Sequence, residues 1–500
     1  MLSSVTRKIL GSAPYPSAPS DHSLWGSPIS WQRLRACLVI AAVASLWVAS
    51  SLSAQFDPED LMAPDPVPEA AAEDSEADLT VGGWALSWGI DAKVHFRSSD
   101  QQRFVNPFPF PPTSLPPGQD VGFLETVNEG EHFEVGVISL VLDAKLEDAI
   151  QAHAKIDFID LYDRNPTSGD RTVDVDELWI RFGRESLPAI PATRSGVYLK
   201  VGKFAHFERQ NDRHLESYGL ISTAFNRFED MGVELGADLG PHFYVKVSAT
   251  AGNPVFFRDT NALAGDNGTD EFLQPFPDPE LKSGFVILYD AETEDIDTDG
   301  DLELGAGLGV RFGDGSGRRG VDLLVWGYRR TLADRVPLNG TFYGGDLDLL
   351  LGPGNAYSLG VQGDEKEEFG ANLWWYRDGF SLFAQFVDQE LAGLERDGFE
   401  VEVAHRFDLP LRYALAGRQL FSYIQPAIRY SSLDPGPLGG SPAFPAPSVR
   451  WDWEKIDYGL RMGIYSGIDL TVEYSDNTFT LLNGRELGID EFLTTLRWKL

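Results

Sequence analysis

Residues 84–97 read WALSWGIDAKVHFR. Laid out with the two-residue period of a strand, Trp84, Leu86, Trp88, Ile90, Ala92, Val94 and Phe96 share one face, and Ser87, Asp91, Lys93, His95 and Arg97 share the other. A strand apolar on one side and charged on the other stands between two different solvents. The rhythm returns where Ile150, Ala152, Ala154, Ile156 and Phe158 alternate with Gln151, His153, Lys155 and Asp157. It returns again at Phe243, Val245, Val247 and Ala249, and at Ile456, Tyr458, Leu460, Met462 and Ile464. No helical period is sustained after Gly82.

Alternation alone also fits a soluble sandwich with one wet face, so the connections decide. Strands are expected near 82–97, 131–146, 149–163, 172–184, 196–204, 226–239, 242–252 and 302–312. A second set is expected near 320–331, 367–377, 380–391, 397–407, 419–431, 453–464, 467–476 and 488–500, which makes 16. Tight links at 146–148, 240–241, 378–379 and 466–467, with short ones at 185–195, 313–319 and 408–418, alternate with other excursions. Those lie at 98–130, 205–225, 253–301, 332–366 and 432–452, with smaller ones at 164–171, 392–396 and 477–487. Short periplasmic turns alternating with long external loops predict an all-β, transmembrane antiparallel β-barrel of about 16 strands over residues 81–500. A further hairpin within 281–290 or 342–362 would make 18. Phe492, Thr494, Leu496, Trp498 and Leu500 carry the alternation to the last residue, resembling the terminal strand of outer-membrane barrels, which usually ends in Phe.

Arg33 and Arg35 precede a weakly polar-to-apolar run over 36–54 that ends Leu52-Ser53-Ala54, the layout of a cleaved signal peptide over 1–54. Residues 55–80, acidic and rich in Pro and Ala, read as a disordered linker. The whole chain of 500 residues carries 41 Lys and Arg against 76 Asp and Glu, a formal charge of −35. Nucleic acid is an unsuitable partner for such an acidic chain. Removing 1–54 takes Arg7, Lys8, Arg33, Arg35 and Asp21, leaving 446 residues with 37 bases against 75 acids. It also removes Cys37, the only cysteine, so thiol catalysis and disulfides are excluded, as suits the bacterial envelope.

A 16-stranded barrel is wide enough for a water-filled channel, and lipid of the bacterial outer membrane would surround it. The inward face would carry Lys93, His95, Lys155, Arg181, Lys200, Lys246, Arg311, Arg406, Arg429, Arg461 and Arg497. Acids on that face would be Asp91, Asp157, Glu177, Glu234, Asp238, Glu303, Glu400, Glu402, Asp457, Asp469 and Glu473. Mixed rings of this kind select small polar or charged solutes, or simply pair with one another. The third external connection, 205–225, holds Glu208, Arg209, Asp212, Arg213, His214 and Glu216, and is the candidate constriction.

Val201-Gly202-Lys203-Phe204, Glu208-Arg209, Phe225-Asn226-Arg227, Gly232-Val233-Glu234-Leu235 and Gly252-Asn253-Pro254 follow one another within 196–254. This order resembles the central region of the phosphate-selective porin O and P family of bacterial outer-membrane porins. The resemblance implies a trimeric, 16-stranded outer-membrane channel with a basic constriction for phosphate or polyphosphate. Arg209 and Arg227 match by motif position, while a ladder of arginines across strands does not. The acidic mature chain opposes an anion funnel.

Asp295, Asp297, Asp299, Asp301 and Glu303 begin like a calcium-binding loop, but Ala306 stands where the bidentate Glu belongs. Calcium in an external loop and a solvated acidic run are both open, and no other cofactor is expected. No His-Glu-x-x-His pair or Gly-x-Ser-x-Gly elbow is present. The expected activity is therefore non-enzymatic, passive diffusion of small hydrophilic or charged solutes, including phosphate and other anions, through a homotrimer. The alternatives are an outer-membrane hydrolase with a Ser-His-acid site and a secreted β-rich adhesin, which would lack a lipid-facing band.

Overall fold

The structure is a computed structural model. It describes residues 79–81, 83–99, 103–105, 123–125, 130–147, 149–159, 173–192, 195–210, 213–225, 229–252, 280–282, 302–331, 365–391, 394–409, 413–415, 417–434, 452–480 and 486–500. Sixteen antiparallel strands close into a barrel. The first half comprises β1 (Trp84–Ser99), β2 (Gly130–Leu146), β3 (Ile150–Ile159), β4 (Val173–Phe182), β5 (Val197–Ala205), β6 (Glu229–Leu239), β7 (Phe243–Thr250) and β8 (Glu303–Gly313). The second half comprises β9 (Arg319–Thr331), β10 (Glu365–Arg377), β11 (Phe380–Leu391), β12 (Leu394–His405), β13 (Tyr423–Asp434), β14 (Asp452–Tyr465), β15 (Ile468–Thr480) and β16 (Glu486–Lys499).

Each strand pairs with its sequence neighbour, and β16 returns to β1 in register from Asp91↔Lys499 to Ser99↔Glu491. The ring is thus complete at sixteen, and no eighteen-stranded version is needed. Residues 280–282 pair with Phe123–Glu125, which pairs with Arg103–Val105, in a separate small sheet. Residues 342–362 lie outside the described residues.

Tight turns set the register. Arg377 faces Phe380 across Asp378-Gly379, both at positive φ (49° and 88°), as a two-residue turn matched to strand twist requires. Several boundaries differ from expectation, two strand starts among them. Leu391 pairs with Leu394, so β12 starts at 394 rather than 397 and the excursion expected at 392–396 shrinks. Residues Ala414–Leu415 and Arg418–Gln419 form their own ribbon, so β13 begins at Tyr423 rather than 419.

The outer wall is apolar: Val173, Leu178, Val197, Met231, Val233, Leu235, Phe243, Leu304, Leu308 and Phe492 are all exposed. Inward positions are polar: Lys200, Glu234, Arg311, Asp322, Glu402, Arg429, Asp457 and Glu473 are buried inside the ring. Such a wall faces hydrocarbon, and ring closure leaves no unpaired strand edge in it. The inner surface is also deeply notched by glycine. A Cβ on Gly309 would lie 2.0 Å from the Tyr244 ring, and one on Gly236 2.2 Å from the Tyr198 ring. Bare backbone lets large rings lie flat against the wall and keeps space for what folds into it.

Candidate functional site

The connection between β5 and β6 turns inside the barrel and is fastened to the opposite wall. Glu208 accepts from the Tyr328 hydroxyl at 2.6 Å, and its backbone oxygen accepts from Asn372 and Gln385. His206 stands 3.4 Å from Glu208 and 3.7 Å from Asp230. Burial alone would lower its pKa, but these two carboxylates outweigh that and push it up to about 10. Further along, the backbone N–H and Nδ1 of His214 both lie 2.9 Å from one oxygen of Glu402 on β12.

The next residues complete the attachment. Glu216 meets Lys93 at 2.8 Å, Arg461 at 2.9 Å and Arg497 at 3.8 Å. The N–H groups of Glu216 and Ser217 donate to Glu473, while Arg429 and Lys455 donate to the carbonyls of Ser217 and Tyr218. Leu215 clusters with Ala404 and Ala427, and sits so close to Gly459 that a Cβ there would lie 2.2 Å from it. A short helix, α1 (Leu220–Ala224), follows; Ile221 and Phe225 press on the bare backbone of Gly398.

Behind this loop the interior is dry. Arg429 pairs with Asp457 at 2.7 Å and with Glu402 at 3.5 Å, and Lys455 with Asp457 at 3.3 Å, all with side chains 0% exposed. The facing wall, β2 to β4, is wet: Asp143 is 24%, Glu177 23% and Lys155 30% exposed. A bulge opposite Lys155 and Ile156 inserts Asp176 between Val175 and Glu177, breaking the inside-outside alternation of β4. Two consecutive acids thereby serve this wall: Asp176 takes Lys155 at 2.5 Å, and Glu177 accepts the Trp179 indole N–H at 2.9 Å. Donor atoms of Asp176, Glu177 and Glu229 lie within 4.8 Å of one another, with Lys155 and Arg209 already bridged to members of the group.

The candidate constriction residues separate into different settings. Arg209 pairs with Glu229, and the Arg213 guanidinium stacks on the Tyr218 ring at 4.1 Å. Glu208 is instead fully buried, and His214 is turned toward Glu402. Asp212 and Arg227 lie outside the described residues, as do Asp295, Asp297, Asp299 and Asp301; Glu303 faces inward and pairs with Lys366 at 2.6 Å.

The candidate lumen bases Lys93, Lys155, Arg181, Lys200, Lys246, Arg311 and Arg461 face inward and each has an acid, whereas His95 meets the Thr495 hydroxyl at 2.8 Å. Lys93 and Arg461 take Glu216, Lys155 takes Asp157 and Asp176, and Arg311 takes Asp238 at 2.9 Å. Arg181, Lys200 and Lys246 converge on Glu185 at 3.3, 3.0 and 2.7 Å. Glu185 belongs to the 183–196 turn, which folds inward: Ala189 is buried, its N–H donating to Asp322, and the Leu187 carbonyl accepts from Arg311. Burial alone would raise the Glu185 pKa, but Lys200, Lys246 and Arg181 hold it well below the usual carboxylate range. Sequence reading missed Glu185 and Asp176: the turn residues 186–192 (SLPAIPA) carry no charge to mark an inward fold, and a bulge has no composition of its own.

No family model matches the chain, and no curated protein is similar to it. Solved structures share the architecture at low identity. The outer membrane channel DcaP of Acinetobacter baumannii is 11% identical, aligning over 84% of this chain and 99% of its own, with a TM-score of 0.47. OprB of Pseudomonas putida is 12% identical over 83% and 94%, at 0.44. An anion-selective porin from Comamonas acidovorans is 6% identical over 83% and 100%, at 0.42.

Proposed function

We propose that the chain is a bacterial outer-membrane porin, passing small hydrophilic solutes by diffusion along the wet wall of β2 to β4, with a preference for cations. The observation that carries the ionic preference is the acid excess on that wall. Asp143, Asp157, Asp176 and Glu177 face Lys155 and Arg181, and the bulge at Asp176 supplies the extra charge. Phosphate selectivity, which the resemblance implies, needs cations free to take an oxyanion. Here Arg181, Lys200 and Lys246 share Glu185, and Arg209 holds Glu229. The exposed apolar outer band supports a lipid environment over a soluble adhesin. A homotrimer is the assembly we propose.

Mature protein from Gln55 onward, refolded and added to planar bilayers under a KCl gradient, tests this reading. Stepwise conductance in groups of three with a cation-sign reversal potential is expected. An anion-sign reversal potential would replace cation preference with phosphate passage, and a folded barrel without conductance would overturn the channel.

A further inference from the structure

Ser381, His214 and Glu402 come from three separate elements: the first residues of β11, the inward loop, and β12. Their functional atoms form one line. Glu402 stands 2.9 Å from His214 Nδ1, and His214 Nε2 stands 3.2 Å from Ser381 Oγ. An ionised carboxylate only accepts hydrogen bonds, so a neutral His214 carries its proton on Nδ1. Nε2 is then the acceptor, and the Ser381 hydroxyl donates to it. This is the ground state of a serine nucleophile paired with its general base. Glu402 is locked in place as the orienting group: it also takes the His214 backbone N–H at 2.9 Å, Gln210 at 3.1 Å and Arg429 at 3.5 Å.

We propose that this trio is an acyl-transfer site on the inner wall that hydrolyses small carboxylic esters entering from the short-turn mouth. Ser381 lies two residues past Gly379, the end of the Asp378-Gly379 turn at that mouth. Its register partner is Ala404, and Arg406, two residues nearer the mouth, lays its guanidinium over the inward Tyr423 ring at 3.9 Å. The Arg406 side chain is 29% exposed and pairs with Asp408 at 3.1 Å, so the entrance to the trio is polar and solvated. In the reaction, Ser381 Oγ bonds to the acyl carbon as its proton passes to His214 Nε2. The ester C–O bond then breaks and His214 returns that proton to the leaving alcohol. Water, deprotonated by the same nitrogen, attacks the acyl-serine, releases the carboxylic acid and restores the hydroxyl.

A fluorophosphonate probe and p-nitrophenyl butyrate, applied to the folded, heat-modifiable full barrel, test the proposal. Expected are a probe adduct on the Ser381 peptide and hydrolysis of the ester. Ser381→Ala should abolish the adduct and lower hydrolysis by at least about 100-fold, and Glu402→Gln should lower it roughly 100-fold or more. A folded barrel that takes no probe at Ser381, or hydrolysis unchanged in Ser381→Ala, overturns it. Conductance measured on the same preparations reports the channel separately, so failure of one reading is not failure of the other.

Discussion

Replacing Glu216 by Gln tests whether the inward loop is held by charge. The carboxylate is 2% exposed and lies within 4 Å of three cations, Lys93, Arg461 and Arg497, of which Arg461 is itself 1% exposed. Removing one member of a buried ionic group leaves the others desolvated and uncompensated, a loss of about 3–5 kcal/mol. At 1.36 kcal/mol per factor of ten, the equilibrium between docked and released loop shifts roughly 100- to 1,000-fold or more toward release. Glu473 and Arg429 continue to hold the Ser217 backbone, so the barrel stays folded while the loop fluctuates. The expected result in planar bilayers is a higher and noisier unit conductance, together with faster proteolysis within 206–225. Unit conductance and protease resistance equal to wild type would refute the assignment of Glu216 as the anchor. Acid gives the same result by titration. Burial alone would raise the Glu216 pKa, yet Lys93, Arg461 and Arg497 hold it well below its ordinary 4.5. A depressed folded-state pKa stabilises the docked loop above the ordinary value, and this contribution disappears as pH falls through the folded value. Wild-type conductance should therefore be constant from neutrality to about pH 5 and rise only in stronger acid, whereas Glu216→Gln should lack that transition.

Three other outcomes follow from the geometry. Gly459→Val places a Cβ 2.2 Å from Leu215 and should loosen the loop by about 1–3 kcal/mol; adding Leu215→Ala should bring conductance back toward wild type. Asp176→Asn with Glu177→Gln removes two acids from the wet wall and should shift the reversal potential toward anions, with little change in conductance at high salt. Val233→Arg, on the outward face near the middle of β6, should destabilise the membrane-inserted barrel by about 2–4 kcal/mol in reversible unfolding from lipid vesicles.

The barrel was legible because its two faces meet different solvents. At β14, Ile456, Tyr458, Leu460 and Met462 need lipid while Asp457 and Arg461 need water or ions, so the faces can be read from the residues alone. The same logic places Lys93, Lys155, Lys200 and Arg311 inside. It stops where partners are set by the third dimension. Glu216 is one of three acids in a loop of mixed charge until the fold brings Lys93 and Arg461 to it from positions more than a hundred residues away. His214 looks like a solute contact by composition, yet Glu402 captures it through both its ring and its backbone. Asp176 is hidden for another reason: a bulge changes which way a residue points without changing the sequence rhythm enough to show.

The identity of the strands that grip Glu216 sets an order of assembly. Lys93 belongs to β1 and Arg497 to β16, the first and last staves of the cylinder, whose edges meet only where Asp91 to Ser99 zip against Glu491 to Lys499. The loop cannot find its full clasp until that seam is shut, and once seated it bolts the seam from inside. A chain arrested before its final strand would keep the grips of Tyr328, Glu402, Arg429, Arg461 and Glu473 but lack Arg497, while the completed cylinder acquires its narrow bore and its last bolt in the same step.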